Sequence, residues 1–293
     1  MRSLLLITAA ALLMGAAPAK KLPTPTDIVN GAPGGSWRTI PADDLLIMEL
    51  KSGGRVVLQL APQFAPVHVA NIRALARGNY WDGATIYRVQ DAYVAQWGLN
   101  DSDKGFLAGV TAKPPAEYTR ALKGLSVKPL GYADPYAPGA GFVDGWPVAY
   151  SAKGNWANLA HCYGSVGVGR DLSPDTGSGG ELYAVFTPLR HLDRNIAVVG
   201  RVIDGMANLS ALPRGTEALG FYKDKSQYVP IASIRLASDM PASERPAFEY
   251  LDTMSASFAR YLTIRANRHD DFYIRPAGGV DLCNVSPPVR KKG

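Results

Sequence analysis

Short apolar runs bounded by turn-forming residues recur through the middle of the chain, which predicts many strands and few helices. Residues 45–50 and 55–60 flank Lys51-Ser52-Gly53-Gly54, a tetrad typical of a β-hairpin turn. An approximately helical stripe begins at Pro66 and ends at Gly78, which predicts one helix. Further strands are predicted at residues 84–89, 93–97, 164–168, 182–186, 196–202 and 231–236. This pattern indicates a mainly β domain over residues 43–237.

Two other regions depart from this pattern. Between the predicted strands, residues 101–158 are rich in proline and glycine but carry many aromatic residues, which favours an ordered insertion over a disordered one. After the domain, residues 238–293 have a different character. Apolar residues near helical spacing predict one amphipathic helix, followed by a tail; they are Phe248, Leu251, Met254, Phe258, Tyr261 and Leu262. The helix packs on the main domain or binds a partner.

The N-terminus has the three parts of a secretory signal peptide. Arg2 supplies the positive charge, residues 4–14 form an apolar run, and Ala17-Pro18-Ala19 matches a cleavage site. The run is too short to span a bilayer, so we expect no stable membrane insertion. Residues 1–19 are therefore predicted to be removed, which favours a periplasmic protein. Residues 20–42, rich in Pro, Gly and Thr, are predicted to form a linker.

Composition excludes several classes of function. Hydrophobic residues make up 47% and charged residues 19% of the chain, as expected of a globular protein. The net charge of +6 is spread widely, without the dense basic stripe that indicates a nucleic-acid-binding protein. The four histidines lack the spacing of metal ligands, so no metal site is expected. Cys162 and Cys283 form either one disulfide or two unpaired buried thiols.

Residues 53–100 contain the clearest candidate chemistry. Tyr93 and Gln96 follow Arg88 at spacings of +5 and +8 along a predicted strand pair. An arginine, an aromatic ring and a carboxamide near one surface can hold an apolar ring and hydrogen-bond its amide. No nucleophile, metal ligand or phosphate-binding loop accompanies them.

This segment resembles the cyclophilin-type peptidyl-prolyl cis/trans isomerases. The resemblance rests on G-R-V-V-L-Q-L (54–60), I-Y-R-V (86–89) and Y-V-A-Q-W-G (93–98), and later on G-S-V-G-V-G-R (164–170), G-G-E-L-Y-A-V (179–185), H-L-D (191–193) and V-V-G-R-V (198–202). It implies a closed antiparallel β-barrel of about eight strands with helices at its ends. It also implies isomerisation of X-Pro bonds without a cofactor.

The resemblance assigns the site residues. The catalytic residues would be Arg88, Tyr93 and Gln96. The substrate-binding residues would be Gly169, Arg170, Glu181, Tyr183, His191 and Leu192. Prolyl isomerisation breaks no bond but must overcome a barrier of about 18–20 kcal/mol as amide resonance is lost. A guanidinium, always charged and rich in donors, suits stabilisation of the twisted amide.

Several positions depart from the family pattern. Val168 and Gly169 replace Met-Ala, and Ile196 replaces a frequent His. Glu181 replaces Gln, which predicts a carboxylate near Arg88 that either orients the guanidinium or competes with the substrate for it.

Two departures alter the pocket rings. Tyr183 replaces a pocket Phe and adds a hydroxyl. His191 stands where strong cyclosporin binders have Trp.

The prediction from sequence is therefore a monomeric, exported isomerase whose partners are proline-containing segments of other exported proteins. The changed pocket rim and the long insertion favour one alternative. In that alternative the protein is a cyclophilin-like scaffold or chaperone that binds proline peptides with little or no turnover.

Overall fold

The computed structural model describes residues 23–99 and 107–292, so the predicted signal peptide lies outside the described residues. The helices are α1 (Pro25–Asn30), α2 (Pro66–Arg77), α3 (Met206–Ser210) and α4 (Ala256–Ala266). The strands are β1 (Trp37–Thr39), β2 (Leu45–Leu50), β3 (Arg55–Leu60), β4 (Thr85–Val89), β5 (Val94–Gly98), β6 (Lys128–Pro129), β7 (Gly139–Val143), β8 (Trp146–Ser151), β9 (Trp156–Leu159), β10 (Ser165–Val168), β11 (Leu182–Val185), β12 (Val198–Asp204), β13 (Val229–Leu236), β14 (Phe248–Leu251) and β15 (Val289–Lys291).

The predicted barrel is confirmed. Its strands follow the closed order β10-β11-β5-β4-β13-β2-β3-β12, and every neighbouring pair is antiparallel. The β2–β3 hairpin turns where the sequence predicts, and Gly53 there has a φ of 93°, a conformation that glycine adopts without strain. The barrel is filled by apolar side chains, and each large one contributes about 1.5–3 kcal/mol on burial.

Helix α2 covers one end of the barrel and buries Val69, Ile72 and Leu75 against the barrel core. Its first residue is Pro66, where the missing N–H costs least. Ala65, the residue before the helix, has no side chain that can cap the free N–H groups of the first turn. The cap comes instead from the insertion, through Glu117.

Glu117 accepts hydrogen bonds from the backbone N–H groups of Val67 and His68 at 2.9 Å each, and its Oε2 lies 2.6 Å from His68 Nδ1. We expect Glu117→Ala to lower the free energy of unfolding by about 2 kcal/mol, because a helix cap and a buried histidine both lose their acceptor. Urea denaturation measures this, with the exposed Glu244→Ala as control. A change no larger than in the control would contradict the capping role.

Residues 107–158 of the insertion contain strands that the sequence analysis did not predict. Strands β6 to β9 form a separate four-stranded antiparallel sheet. Its glycines permit close packing: the ring of Tyr150 occupies the space that a side chain on Gly139 would fill. Glycine and proline in these strands hide the alternation on which strand prediction depends.

Residues 23–42 do not form the predicted linker. Thr24 and Asp27 form a capping box on α1, which packs against α4, and β1 pairs with β14. The proline and glycine residues here begin and end short elements instead of joining flexible ones.

The predicted C-terminal helix begins later than expected. Its first residues, Phe248–Leu251, form strand β14 between β1 and β15, and Ser255 caps the helix that follows. The apolar spacing suited both structures, because a four-residue apolar segment does not separate strand from helix.

A disulfide joins Cys162 to Cys283, which settles the alternative that the sequence left open. It belongs to a second apolar cluster, in which Phe258 of α4 packs edge-to-face on Phe142 of the insertion at 4.9 Å between ring centroids. The chain's N-terminal segment, insertion and C-terminal segment thus share one core beside the barrel.

Candidate active site

The site lies on the outer surface of the barrel where β4 and β5 pair. Ile86 lies opposite Trp97 and Arg88 opposite Gln96, so Tyr87 is the extra residue of a β-bulge. A regular strand would place Tyr87 and Arg88 on opposite faces. Instead, both side chains contact Gln96.

Arg88 is partly buried and held by three neutral acceptors. Its Nε donates to the carbonyl of Leu219 at 2.7 Å, Nη1 to Gln96 Oε1 at 3.0 Å, and Nη2 to Gln90 Oε1 at 2.8 Å. The guanidinium also lies over the rings of Tyr93 and Phe221, at 5.6 and 5.3 Å from their centroids. Burial lowers the pKa of Arg88, although nearby tyrosines oppose this effect. The cation is therefore oriented, weakly hydrated and still able to donate from its remaining N–H groups.

Hydrogen bonds through Gln96 and Tyr87 link Arg88 to Glu181. Its Nε2 donates to Tyr87 Oη at 2.6 Å, and that hydroxyl donates to Glu181 Oε2 at 2.7 Å. Burial, followed by the negative charge of Glu181, raises the pKa of Tyr87, so the hydroxyl keeps its proton.

Glu181, which the sequence predicts near Arg88, is linked to it by this chain of hydrogen bonds. Its carboxylate occupies the space beside Gly98, where any side chain would clash, and reaches Arg88 through Tyr87 and Gln96. Glycine at this position thus allows the carboxylate to turn toward Tyr87.

An open cleft of about 520 Å³ lies in front of Arg88. It is lined by Arg88, Tyr93, Val94, Gln96, Val168, Gly169, Arg170, Asp171, Leu172, Tyr183, Leu192, Ile196, Leu219 and Phe221. The structure thus brings together seven of the nine residues predicted for the site. Its apolar side chains and the oriented Arg88 guanidinium suit an apolar ring next to an amide.

The other two predicted residues are not among those that line the cleft. The exposed His191 stacks on Tyr93, with ring centroids 6.5 Å apart and planes at 20°. Glu181 accepts a hydrogen bond from the Tyr87 hydroxyl. Arg170 lines the cleft, but its guanidinium donates to the carbonyls of Asn195 and Asp171 and lies over the ring of Tyr118.

Five lining residues were missed by the sequence reasoning: Val94, Asp171, Leu172, Leu219 and Phe221. Leu172 and Leu219 are 89% and 64% exposed and stand on the rim of the cleft. Leu219 has a φ of 59°, unusual for a branched residue, and its carbonyl anchors Arg88. No periodic pattern marks the loop that contains Leu219. Its glycines, Gly215 and Gly220, are the sequence signal that could have indicated a tight turn there.

Within residues 23–99 and 107–292, no group of three or more His, Cys, Asp or Glu side chains could hold a metal ion. Over the same residues, no helix is long and apolar enough to cross a bilayer.

The model of the family described as cyclophilin type peptidyl-prolyl cis-trans isomerase/CLD matches residues 45–236. The chain belongs to this family. The matched residues contain the whole barrel and the cleft, so peptidyl-prolyl isomerase activity is the activity of this fold and site.

Similar proteins agree with this conclusion. Proteins named "Probable peptidyl-prolyl cis-trans isomerase" from Brucella suis biovar 1 (strain 1330) and from Brucella melitensis biotype 1 (strain ATCC 23456 / CCUG 17765 / NCTC 10094 / 16M) are each 27% identical over 179 residues, which cover 60% of this chain and 74% of theirs. The crystal structure of the cyclophilin AquaCyp293 from Hirschia baltica matches with a TM-score of 0.69 at 23% identity. That match covers 92% of this chain and 98% of the other, so the similarity in fold extends beyond the barrel.

Proposed function

We propose that the cyclophilin-type cleft of this protein isomerises X-Pro bonds of exported proteins, with Arg88 stabilising the twisted amide. The observation that carries the proposal is the Arg88 guanidinium, oriented by three acceptors at the edge of an apolar cleft. The proline ring would rest among Tyr93, Tyr183 and Leu192.

Catalysis here needs no proton transfer and no covalent intermediate. As the amide twists, its nitrogen becomes pyramidal and no longer shares its lone pair with the carbonyl, so the nitrogen gains affinity for a hydrogen-bond donor. A partly desolvated, prepositioned guanidinium binds the twisted amide more tightly than the planar one, because little reorganisation is needed. Gln96, fixed between Arg88 and Tyr87, keeps the guanidinium in place.

Two observations support an exported substrate. Residues 1–19 have the pattern of a cleaved signal peptide, and Cys162 and Cys283 form a disulfide, which persists in oxidising compartments such as the periplasm. We propose a periplasmic, monomeric protein whose mature chain begins at Lys20. Mass spectrometry of the N-terminus after periplasmic fractionation, with light scattering of the product, tests all three points.

The same peptide should be used for an isomerisation assay and a binding titration. Turnover at substoichiometric protein supports the enzyme. Binding without turnover would instead support the alternative, a scaffold or chaperone for proline-containing segments. One observation favours the scaffold or chaperone. Leu172 and Leu219 are exposed on the rim of the cleft, and such apolar side chains can bind an extended peptide without twisting its amide.

We expect cyclosporin to bind weakly and His191→Trp to tighten its binding at least tenfold, about 1.4 kcal/mol. An indole presents a larger apolar face and an N–H donor at the place where His191 now stacks on Tyr93. Calorimetric titration of both proteins measures the change. Nanomolar affinity of the unmodified protein would show that this rim was assigned wrongly.

A further inference from the structure

A buried polar network lies directly beneath the cleft. Tyr183 lines the cleft and is only 6% exposed, and its hydroxyl lies 3.3 Å from Nε2 of His161, which is fully buried. On the other side of the imidazole, His161 Nδ1 lies 3.0 Å from Asp193 Oδ1. The backbone N–H of His161 donates to the same oxygen at 2.9 Å.

Charged groups fix the far end of this network. Arg190 Nε donates to Asp193 Oδ2 at 2.6 Å, and its Nη2 donates to Asp134 Oδ2 at 2.8 Å. Burial alone would raise the pKa of Asp193, but hydrogen bonds from His161 and the charge of Arg190 outweigh it, and the pKa lies below its ordinary value. Asp193 is therefore a carboxylate that accepts from His161.

These contacts give the network a direction. With Nδ1 donating its hydrogen bond to Asp193, Nε2 is the ring nitrogen that can accept, and the Tyr183 hydroxyl is the donor that faces it. Burial raises the pKa of Tyr183, with Tyr93 as the next cause, so the phenol keeps the proton that it donates. The ring itself lies against Gly167, in space that a side chain there would occupy.

We propose that His161 and Asp193 are positioning residues that fix the Tyr183 ring as the floor of the proline-binding cleft. Without an acceptor, a hydroxyl at this depth would have to turn toward the cleft or remain unsatisfied, and either outcome spoils an apolar floor. The inference deepens the proposed function and rests on it. It also gives the insertion a role, because Asp134 belongs to it and His161 lies two residues after β9, which ends at Leu159.

The test is a double-mutant cycle on His161 and Tyr183, read as kcat/KM for an X-Pro peptide and as the Kd for the same peptide. We expect His161→Leu to lower kcat/KM about tenfold and to weaken binding, since it leaves the Tyr183 hydroxyl without its acceptor. Tyr183→Phe alone should cost less than about threefold. The double variant should return to within about threefold of the unmodified protein, because removal of both partners leaves no unsatisfied polar group.

His68→Leu is the matched control. His68 is also fully buried and bonded through Nδ1 and its backbone N–H to one carboxylate, that of Glu117, but it lies outside the cleft. Its loss should lower stability without a change of more than about twofold in the peptide's Kd. Such a result separates a general cost of removing a buried histidine from an effect on the cleft.

Two results would overturn the proposal: a double variant as impaired as His161→Leu, or a folded His161→Leu with unchanged kcat/KM and Kd. If His161→Leu does not fold, the double variant is the deciding test. A double variant that folds and binds the peptide supports the proposal, and a double variant that does not fold or bind contradicts it. Lack of turnover in the unmodified protein would defeat the proposed function, whereas the Kd values would still test the network.

Discussion

Replacement of Arg88 by alanine is expected to lower kcat/KM for an X-Pro peptide at least tenfold, about 1.4 kcal/mol of transition-state stabilisation. The Arg88 guanidinium donates to the side chains of Gln96 and Gln90, and it lies over Tyr93 and Phe221. The other guanidinium of the cleft, that of Arg170, donates to backbone carbonyls. The thermal midpoint of the variant should hardly move. The acceptors of Arg88 on Leu219 and Gln90 lie near the surface, so water replaces the hydrogen bonds that the variant loses.

Two further variants make this result interpretable. Arg88→Lys keeps the charge but loses the planar fork, so it should recover only part of the activity. Arg235→Ala removes an arginine whose partner is Asp82, outside the cleft, and should leave kcat/KM unchanged. Unchanged turnover in a folded Arg88→Ala variant would remove Arg88 from the mechanism.

The second large effect is expected from the disulfide. Replacement of both Cys162 and Cys283 by alanine should lower the free energy of unfolding by about 2–5 kcal/mol. The two residues are 121 positions apart, so the bond restricts the unfolded chain over a long loop. It also joins the segment just after the insertion to the C-terminal segment within a shared apolar cluster, and alanine avoids burying a new polar group there.

Urea denaturation of the double variant, beside the unmodified protein with and without reductant, measures this effect. Reduction should destabilise the unmodified protein and leave the double variant unaffected. A difference below about 1 kcal/mol between the oxidised protein and the variant would show that packing, not the cross-link, holds the C-terminal segment in place.

The barrel could be predicted from the sequence because its strands alternate or run apolar between clear turn signals. The hairpin at residues 51–54 and the helix between Pro66 and Gly78 are examples in which local pattern and final structure agree. Strands β6 to β9 could not be predicted, since glycine and proline hide the alternation on which strand prediction depends. The error at Phe248–Leu251 arose because one apolar spacing suits both strand and helix.

The candidate site also has parts that could be predicted from the sequence and parts that could not. Arg88, Tyr93 and Gln96 could be placed together because strand β4, strand β5 and the residue just before β5 carry them. The bulge at Tyr87 could not be predicted. It turns Tyr87 toward Gln96 and lets the Tyr87 hydroxyl donate a hydrogen bond to Glu181. The anchor at Leu219 comes from a loop 131 positions away from Arg88, and a contact at such distance leaves no local pattern.

Exchange spectroscopy by NMR tests the central claim most directly. An X-Pro peptide is observed with substoichiometric protein, and cross-peaks between its cis and trans signals are measured at mixing times far shorter than uncatalysed isomerisation, which takes tens of seconds or more. The account predicts strong exchange cross-peaks with the unmodified protein and cross-peaks at least tenfold slower to build up with Arg88→Ala. Line broadening that shows binding, without any cis–trans exchange, would contradict it.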